Sequence, residues 1–446
     1  MSPKIVVVGG GYAGISAATA LVEEGLSVDL LETRSSLGGR VYSTAASENF
    51  PVPVDNGPHL LMGCYRETFR FFKRIGSSSG FHWMDPLSLS WQSAGGTIAS
   101  LNCADLPAPF HLVFGLLASN AFPFSEKIRM ALALRRFHHH PFSFPESVET
   151  VEDFLNFTRQ GPRTRERFWV PLCRAVMNVP PDVAPIEGLG QVLQRIFFGT
   201  RRDSALVVPA RPLSEIAFPE TMEFLKSKGG LVHFRDGVLE LSLTSGPFQV
   251  KTASGKVFTG DALVLAVPPR SLEALWTTSG LPSPVDASRL GKSPIVSVHL
   301  ILERPLMTGH LIGLPGANFD WIFNRNANWG YAGPGQYLSL VCSGNLTLAQ
   351  KHNQEILESA LKELHRHFPN AVKTQCLYSK VTKEMAATFL WNRETGPFRP
   401  PGETTFSNIF LAGDFTATGL PATIEGACQS GHQAAEKVRD YLEKKA

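Results

Sequence analysis

Hydrophobic and polar positions in the first forty residues form a pattern that predicts a strand, a helix and a second strand. Residues 4–8 (KIVVV) are an apolar run typical of a short buried strand. Glycines follow directly, then an apolar-periodic stretch predicts a helix, and residues 27–31 (SVDLL) predict a second strand that ends at Glu32. A strand–helix–strand unit of this length is typical of the start of a parallel sheet covered by helices.

Later parts of the chain repeat this hydrophobic pattern. The apolar runs 262–267 and 408–412 predict two further buried strands, 229–238 predicts another, and 421–443 predicts the final helix. We therefore predict an α/β fold with a discontinuous Rossmann-type dinucleotide-binding domain. An inserted substrate domain of mixed α and β structure, largely helical, completes the prediction.

The predicted domain boundaries follow shifts in composition. The Rossmann-type domain takes residues 1–80, 211–290 and 396–446. Between them, 81–210 is rich in proline and phenylalanine and is predicted to be mainly helical. Residues 291–395 begin with the largely apolar run 295–302 (IVSVHLIL) and include a predicted helix at 347–368, so they are predicted to add a sheet and a helix to the substrate domain.

Composition narrows the class of protein. A chain of 446 residues suits two interleaved domains, and a net charge of +3 gives no case for nucleic-acid binding. The six cysteines lack the spacing of a metal site, so we expect free thiols in a reducing compartment and no metal. The first strand begins at residue 4, which leaves no room for a signal peptide. We expect a cytoplasmic protein.

The glycine turn after the first strand carries the first chemical signal. Gly9-x-Gly11-x-x-Gly14 lies between a strand and a helix, where glycines allow a tight turn, close approach to a pyrophosphate and close helix–strand packing. Glu32 ends the second strand, where its carboxylate can accept ribose hydroxyls and disfavours a 2′-phosphate. The predicted cofactor-binding residues here are Gly9, Gly11, Tyr12, Ala13, Gly14, Glu32 and Thr33.

Three further features favour FAD over NAD. Residues 34–40 (RSSLGGR) combine glycines with a basic residue shortly after Glu32. Gly413 and Asp414 follow a predicted strand, and Pro421 and Thr423 are predicted to begin the last helix, whose positive end can stabilise a reduced flavin. The predicted cofactor-binding residues in these segments are Gly39, Arg40, Gly413, Asp414, Thr423 and Ile424.

These motifs together resemble the amine oxidase and phytoene desaturase superfamily of flavoproteins. A narrower resemblance, to the hydroxysqualene dehydroxylase family of squalene-associated FAD-dependent desaturase-like enzymes, covers nearly the whole chain. Arg174 and Val176 depart from the small apolar residues expected there. Four blocks carry the narrower resemblance: residues 54–68 (VDNGPHLLMGCYRET), 168–178 (FWVPLCRAVMN), 383–389 (KEMAATF) and 419–426 (GLPATIEG).

The resemblance implies a cofactor position and a reaction. It places Gly57, Pro58, His59 and Leu60 beside the isoalloxazine ring, Val238 at the adenine, and Thr423 and Ile424 at the pyrimidine side. It implies reductive removal of the hydroxyl of hydroxysqualene to give squalene, a step of triterpene (hopanoid) biosynthesis. An acid protonates the hydroxyl, an allylic cation forms, and reduced flavin N5 delivers hydride. The candidate acids are His59, Asp55, Lys383 and Glu425, with His59 preferred for its ordinary pKa.

A C30 substrate implies contact with a membrane. The stretch 106–125 has no formal charge, but prolines interrupt it, so we expect surface contact through residues such as Phe114 and Leu116 instead of a spanning helix. We expect peripheral association with the inner face of the cytoplasmic membrane. No second strand–GxGxxG–helix unit follows, so an external electron donor is expected.

Two other interpretations stay open at this point. A carotenoid-type (phytoene) desaturase or an amine oxidase would use the same scaffold in the oxidative direction. A non-catalytic flavoprotein that assists membrane prenyl synthases would keep the binding motifs without turnover.

Overall fold

The computed structural model describes residues 2–243 and 248–445. Residues 1 and 446, the outer limits of the predicted domains, and residues 244–247 within the predicted segment 211–290 lie outside the described part. The centre of the fold is a parallel sheet whose strands are largely apolar. Its strands lie in the order Leu231–Phe234, Ser27–Glu32, Lys4–Val8, Ala262–Leu265 and Ile409–Leu411.

Helices cover the central sheet as the α/β prediction requires. The first helix, Tyr12–Glu23, packs against the C-terminal helix, Ile424–Lys445. Their backbones come so close that a Cβ added to Gly431 would lie 2.2 Å from the carbonyl oxygen of Ala13. The two ends of the chain are therefore packed together, and the prediction of an α/β fold with a parallel sheet is confirmed.

A second sheet of seven strands forms the other large part of the molecule. Two of its strands come from the segment 81–210, which was predicted to be mainly helical; the β-structure in that segment was missed because its alternation is short and broken by polar residues. The strands lie in the order Cys376–Thr388, Ser293–Leu302, Gln336–Ser343, Trp321–Asn324, Leu311–Gly313, Ser88–Gln92 and Ile98–Asn102.

Three smaller sheets complete the β-structure of the described residues. The predicted strand 229–238 is divided at a turn, because Leu231–Phe234 joins the central sheet and Val238–Ser242 begins another. The small sheets comprise Val238–Ser242 with Gln249–Thr252 and Val257–Phe258, Leu61–Met62 with Leu206–Pro209 and Phe81–Met84, and Ser43–Thr44 with Val54–Asp55.

Two predicted helices have different bounds in the structure. The predicted helix 347–368 is two helices, and the C-terminal helix begins at Ile424 instead of Pro421. The two helices in place of 347–368 are Leu346–Ala349 and Asn353–His367. The other α-helices of the described residues are Arg66–Arg74, Phe110–Ala118, Phe124–Arg135, Val151–Phe157, Pro162–Thr164, Val170–Met177, Ile186–Phe197, Leu213–Ser227, Pro269–Thr277, Ala287–Leu290 and Arg325–Trp329.

The stretch 106–125 contains one short helix, Phe110–Ala118. Within residues 2–243 and 248–445, the structure contains no helix with the length and apolar character needed to cross a bilayer.

Candidate functional site: a dinucleotide site at the central sheet

The glycine turn closes tightly over the first strand. The N–H of Gly9 donates a hydrogen bond to the carbonyl of Leu31, 2.8 Å away, and the φ of +106° at Gly9 suits glycine. A Cβ on Gly14 would lie 1.8 Å from the carbonyl oxygen of Gly9. Gly11 differs, since a Cβ there would meet nothing nearer than the Cα of Gly39 at 3.9 Å. The open side of the turn is therefore at Gly11.

Glu32 and its neighbours form the nucleotide end of the site. The buried Glu32 carboxylate accepts hydrogen bonds from the backbone N–H groups of Gly10 and Arg34, each at 2.7 Å. The side chain of Thr33 packs against Gly237, and Val238 begins the next strand. The structure thus brings three predicted residues, Glu32, Thr33 and Val238, to one end of the central sheet.

The first turn of the first helix can contribute only through its backbone at Tyr12. The Tyr12 ring is buried and packs at ring-centre distances of 5.7 Å from Phe71 and 6.2 Å from Phe218. Ala13 is buried as well. The free N–H groups at this helix end favour a phosphate, which agrees with the open side at Gly11.

Arg40 and Asp414 join the N-terminal and C-terminal motifs directly. Arg40 Nη2 lies 2.6 Å from Asp414 Oδ1, and Arg40 Nη1 donates to the carbonyl of Ala387 at 2.9 Å. The preceding Gly413 donates its N–H to Ser430 Oγ of the C-terminal helix at 2.8 Å. Gly39, Arg40, Gly413 and Asp414 are therefore brought together, as the predicted site requires.

Arg399, which no sequence motif singles out, holds the loop after Gly413. Its guanidinium donates to the carbonyl oxygens of Asp414 at 3.1 Å and Thr416 at 2.5 Å. It also stacks over Trp391, with 4.5 Å between the guanidinium carbon and the ring centre. Burial lowers the pKa of Arg399 to about 10, with the charge of Asp414 opposing the shift, so the side chain stays cationic at neutral pH.

The segment 56–60 lies against the second sheet. Thr382 Oγ1 donates to the carbonyl of Asn56 at 3.0 Å, and a Cβ on Gly57 would lie 3.4 Å from Ser297 Oγ. Within the described residues, three buried polar atoms here have no hydrogen-bond partner: Asn56 Oδ1, His59 Nε2 and Ser297 Oγ. Buried polar groups are normally paired, so this cluster suits a polar ligand group. Pro58, His59 and Leu60 are all partly buried.

The electrostatics of this end change the choice of acid. Burial, reinforced by the positive charge of Arg325, lowers the pKa of His59 to about 4. His59 is therefore neutral at pH 7 and cannot be the protonated general acid that its ordinary pKa suggested. Burial raises the pKa of Asp55 to about 6, while Arg325 opposes the rise. Asp55 Oδ1 also accepts a hydrogen bond from Ser43 Oγ at 2.7 Å.

Arg325 is a second functional candidate that the sequence did not reveal. It is buried, its Nε donates to Ser339 Oγ at 3.0 Å, and its guanidinium lies 4.0 Å from the ring centre of Trp329. Its Nη2 has no partner within the described residues. Its only sequence signal is a position after the apolar run 321–323, which is too common to be informative.

The structure places Lys383 away from the other candidate acids, which corrects its expected position. Thr382 faces Asn56, and side chains alternate across a strand, so Lys383 points to the opposite face of the second sheet. Its Nζ donates to the carbonyl of Lys351 at 2.5 Å. Lys383 is therefore occupied away from the segment 56–60.

Glu425 has a structural contact instead of a free acidic group. Its carboxylate accepts hydrogen bonds from Thr68 N–H at 2.9 Å and Thr68 Oγ1 at 2.8 Å, at the start of the helix Arg66–Arg74. Thr423 Oγ1 accepts the N–H of Gly426 at 3.1 Å, so Thr423 caps the C-terminal helix and Ile424 is its first residue. The free positive end of this helix is at Thr423 and Ile424, not at Pro421.

A charged cleft of about 430 Å³ opens beside this helix start. It is lined in part by Arg66, Arg195, Glu67 and Glu425, and a small apolar pocket next to it reaches Thr423. A cleft with this lining suits water and polar solutes better than a hydrocarbon.

The residues present fit FAD from end to end. The open glycine turn and Glu32 suit the adenosine and pyrophosphate, and the unpaired polar atoms near Gly57 suit the ring. Because these groups belong to a parallel α/β sheet that draws on both chain ends, the fold and site define a flavin-dependent oxidoreductase.

Comparison with known proteins gives the family. The model of the family described as "Flavin containing amine oxidoreductase" matches residues 12–439. This chain belongs to that family, and its cofactor is FAD.

Curated relatives with similar sequences include plant carotenoid enzymes. The chain is 26% identical to the 15-cis-phytoene desaturase of an Oncidium hybrid cultivar, with 98% of this chain and 78% of that protein covered. It is 24% identical to the zeta-carotene desaturase of Arabidopsis thaliana, with 99% and 86% covered.

Solved structures share the fold at low identity. An oxidoreductase from Methanosarcina mazei superimposes with a TM-score of 0.73 at 15% identity, covering 97% of this chain and 100% of that one. Cyclohexylamine oxidase from Brevibacterium oxydans gives a TM-score of 0.64 at 16% identity, covering 99% and 100%.

Proposed function

We propose that this protein reductively removes the hydroxyl of hydroxysqualene to give squalene in triterpene biosynthesis. The observation that carries the proposal is how the four blocks of the narrower resemblance meet. Thr68 of the first block bonds Glu425 of the fourth, and Asn178 Nδ2 of the second donates to Thr388 Oγ1 of the third at 2.9 Å. Blocks far apart in sequence thus make direct contacts in pairs, which supports treating them as parts of one arrangement of the folded chain and not as chance matches.

The sequence relatives support an isoprenoid substrate. Phytoene and zeta-carotene, named in those relatives, are long isoprenoid hydrocarbons, as is squalene. Those relatives also favour a second candidate function, oxidative desaturation of a carotenoid precursor. The two candidates differ in the direction of electron flow, which a flavin alone does not set.

The chain's own residues have three tasks in the proposed reaction. When bound and reduced, FAD supplies hydride. The neutral carboxyl of Asp55 is the proton source for the departing hydroxyl, since its pKa of about 6 leaves a protonated fraction near neutrality. The proton and the hydroxyl leave as water, and the resulting carboxylate keeps the hydrogen bond from Ser43.

His59 and Arg325 orient and tune this step. Neutral His59 has an unpaired, buried Nε2 that can hydrogen-bond the substrate hydroxyl without adding a charge to the buried site. The buried cation of Arg325 stabilises the Asp55 carboxylate that forms after proton transfer.

The test is a product analysis with reduced, FAD-loaded protein under anaerobic conditions. Squalene formed from hydroxysqualene supports the proposal. Desaturated products from phytoene with oxidised protein, and no squalene, would establish the second candidate. Amine-dependent bleaching would indicate an amine oxidase, and no activity with any of these substrates would favour the non-catalytic partner. Replacing the chemical reductant with cell extract fractions identifies the external electron donor.

Asp55→Asn provides the matched variant. The asparagine keeps the shape of the side chain and an oxygen that accepts the hydrogen bond from Ser43, but it has no carboxyl proton to donate. We expect bound FAD to stay near the wild-type level while the single-turnover rate falls at least about 100-fold, the usual contribution of a general acid. An unchanged rate would exclude Asp55 as the proton source.

A further inference from the structure

Two neighbouring helices present a continuous set of large apolar side chains to solvent. The helices are Phe110–Ala118 and Phe124–Arg135, and their outward side chains are between 45% and 67% exposed. We call these residues the apolar face: Phe110, Val113, Phe114, Leu117, Phe124, Ile128 and Leu132. Single exposed apolar residues are ordinary, but seven on two packed helices mark a contact surface.

Helical spacing and buried polar contacts fix the direction of this face. Phe110, Phe114 and Leu117 recur at helical intervals on one side of their helix. On the opposite side, buried His111 pairs through Nε2 with Ser204 Oγ at 3.0 Å. Leu116, expected from the sequence to contact a membrane, packs toward the core instead.

The apolar face is preformed. Lys127 Nζ, from the second helix, donates to the carbonyl of Leu117 at the end of the first, at 2.7 Å. Ser119 Oγ donates to the carbonyl of Ser100 at 2.6 Å, and Asn120 Oδ1 accepts the N–H of Ser100 at 2.8 Å. The face is therefore tied to the edge strand of the second sheet, so little ordering is needed for it to dock.

The exposed charges on the two helices that carry the apolar face have one sign, and the nearby carboxylate of Asp105 is paired with Arg201. Between residues 106 and 145 the exposed formal charges are Arg129, Arg135 and Arg136. The carboxylate of that stretch, Glu126, is buried and accepts the N–H of Thr164 at 2.8 Å. Two copies of this face would bring the arginines together, whereas an anionic surface would attract them.

We propose that the apolar face docks on an anionic lipid bilayer, with its side chains at the headgroup–acyl boundary and the three arginines on lipid phosphates. This inference concerns attachment and does not depend on which reaction the site performs. The same physics describes interfacial helices with apolar and basic sides.

The test measures binding of FAD-loaded protein to vesicles by co-sedimentation. We expect strong binding to vesicles of phosphatidylcholine with phosphatidylglycerol and weaker binding to phosphatidylcholine alone. Phe114→Asp combined with Phe124→Asp should lower the partition coefficient at least about 100-fold. Leu346→Asp combined with Val372→Asp is the matched control, because both residues are exposed elsewhere on the surface. It should leave binding unchanged.

A second variant set tests the charges. Arg129→Gln, Arg135→Gln and Arg136→Gln together should reduce binding to the anionic vesicles about 100-fold and remove its salt dependence. FAD content and thermal midpoint, measured on every variant, show that the fold is retained.

Wild-type binding that survives the two aspartates would overturn the proposal. The proposal would also be overturned if the protein did not bind vesicles but formed a concentration-dependent dimer that the two aspartates disrupt. The apolar face would then bind a second copy of the chain.

Discussion

The two ends of the flavin site are built in different ways. At the nucleotide end, Gly10 and Glu32 lie 22 positions apart and bond through one strand–helix–strand unit. Beyond the nucleotide end, Arg40 meets Asp414 across 374 positions, and at the ring end Thr382 meets Asn56 across 326. A site formed within one local unit can be recognised from a short sequence motif. The ring end, in contrast, forms only after the two sheets have packed together.

This difference predicts that the nucleotide end fails completely when its turn is blocked. Gly14→Val places a side chain where even a Cβ would lie 1.8 Å from the carbonyl of Gly9. We expect loss of FAD and destabilisation of about 4 kcal/mol or more. Visible absorbance of the purified protein and urea unfolding measure both effects. Gly309→Ala is the control, since a Cβ at Gly309 meets nothing within 4 Å. FAD retained by Gly14→Val would contradict this geometry.

The burial of Asp55 at the ring end should make the stability of the protein depend on pH. The pKa of Asp55 rises from 3.8 to about 6 on folding, so the folded state holds this proton more tightly than the unfolded chain. The resulting stabilisation is fully present below about pH 4 and is lost as pH rises through 6, a loss of about 3 kcal/mol. Urea midpoints from pH 4 to 7 should show this loss in the wild type and not in Asp55→Asn. Parallel curves would mean that Asp55 is not buried as described.

Breaking the contact between the helical insertion and the second sheet should lower the free energy of unfolding by an intermediate amount. Arg174, which departs from the family resemblance, lies 3.2 Å from the buried Asp320, and burial raises the pKa of Asp320 to about 7. Arg174→Met leaves that carboxylate unpaired and should cost about 2 kcal/mol at pH 8, since the arginine is partly exposed. Arg174→Met with Asp320→Asn should recover most of the loss. Val176, the other departure, is simply buried.

The smallest effect is expected at Glu32. Glu32→Gln keeps a buried acceptor but removes the charge, and we expect FAD affinity to fall about tenfold, equivalent to about 1.4 kcal/mol. Titration of the apoprotein with FAD measures it, with the exposed Glu48→Gln as control. Equal affinities would show that the two backbone donors alone satisfy Glu32.

The sequence was informative where local physics decides the structure. Residues 4–8 and 262–265 are short apolar runs, and both are strands of the central sheet. At Pro421 the preference of proline for a first helical turn was misleading, because the hydroxyl of Thr423 caps the helix two residues later. Lys383 was misplaced because strand register decides which face a side chain takes. Arg325 and Arg399 carry no motif, since their roles arise from contacts made only in the folded molecule.

The most direct measurement of the proposed reaction is where deuterium from the solvent appears. FAD-loaded protein is reduced anaerobically in D2O, mixed with hydroxysqualene in one turnover, and the product is examined by mass spectrometry. Hydride transfer from the reduced cofactor predicts squalene with one deuterium, on the carbon that carried the hydroxyl. Absence of squalene, or squalene with only hydrogen at that carbon, would contradict reductive removal of the hydroxyl.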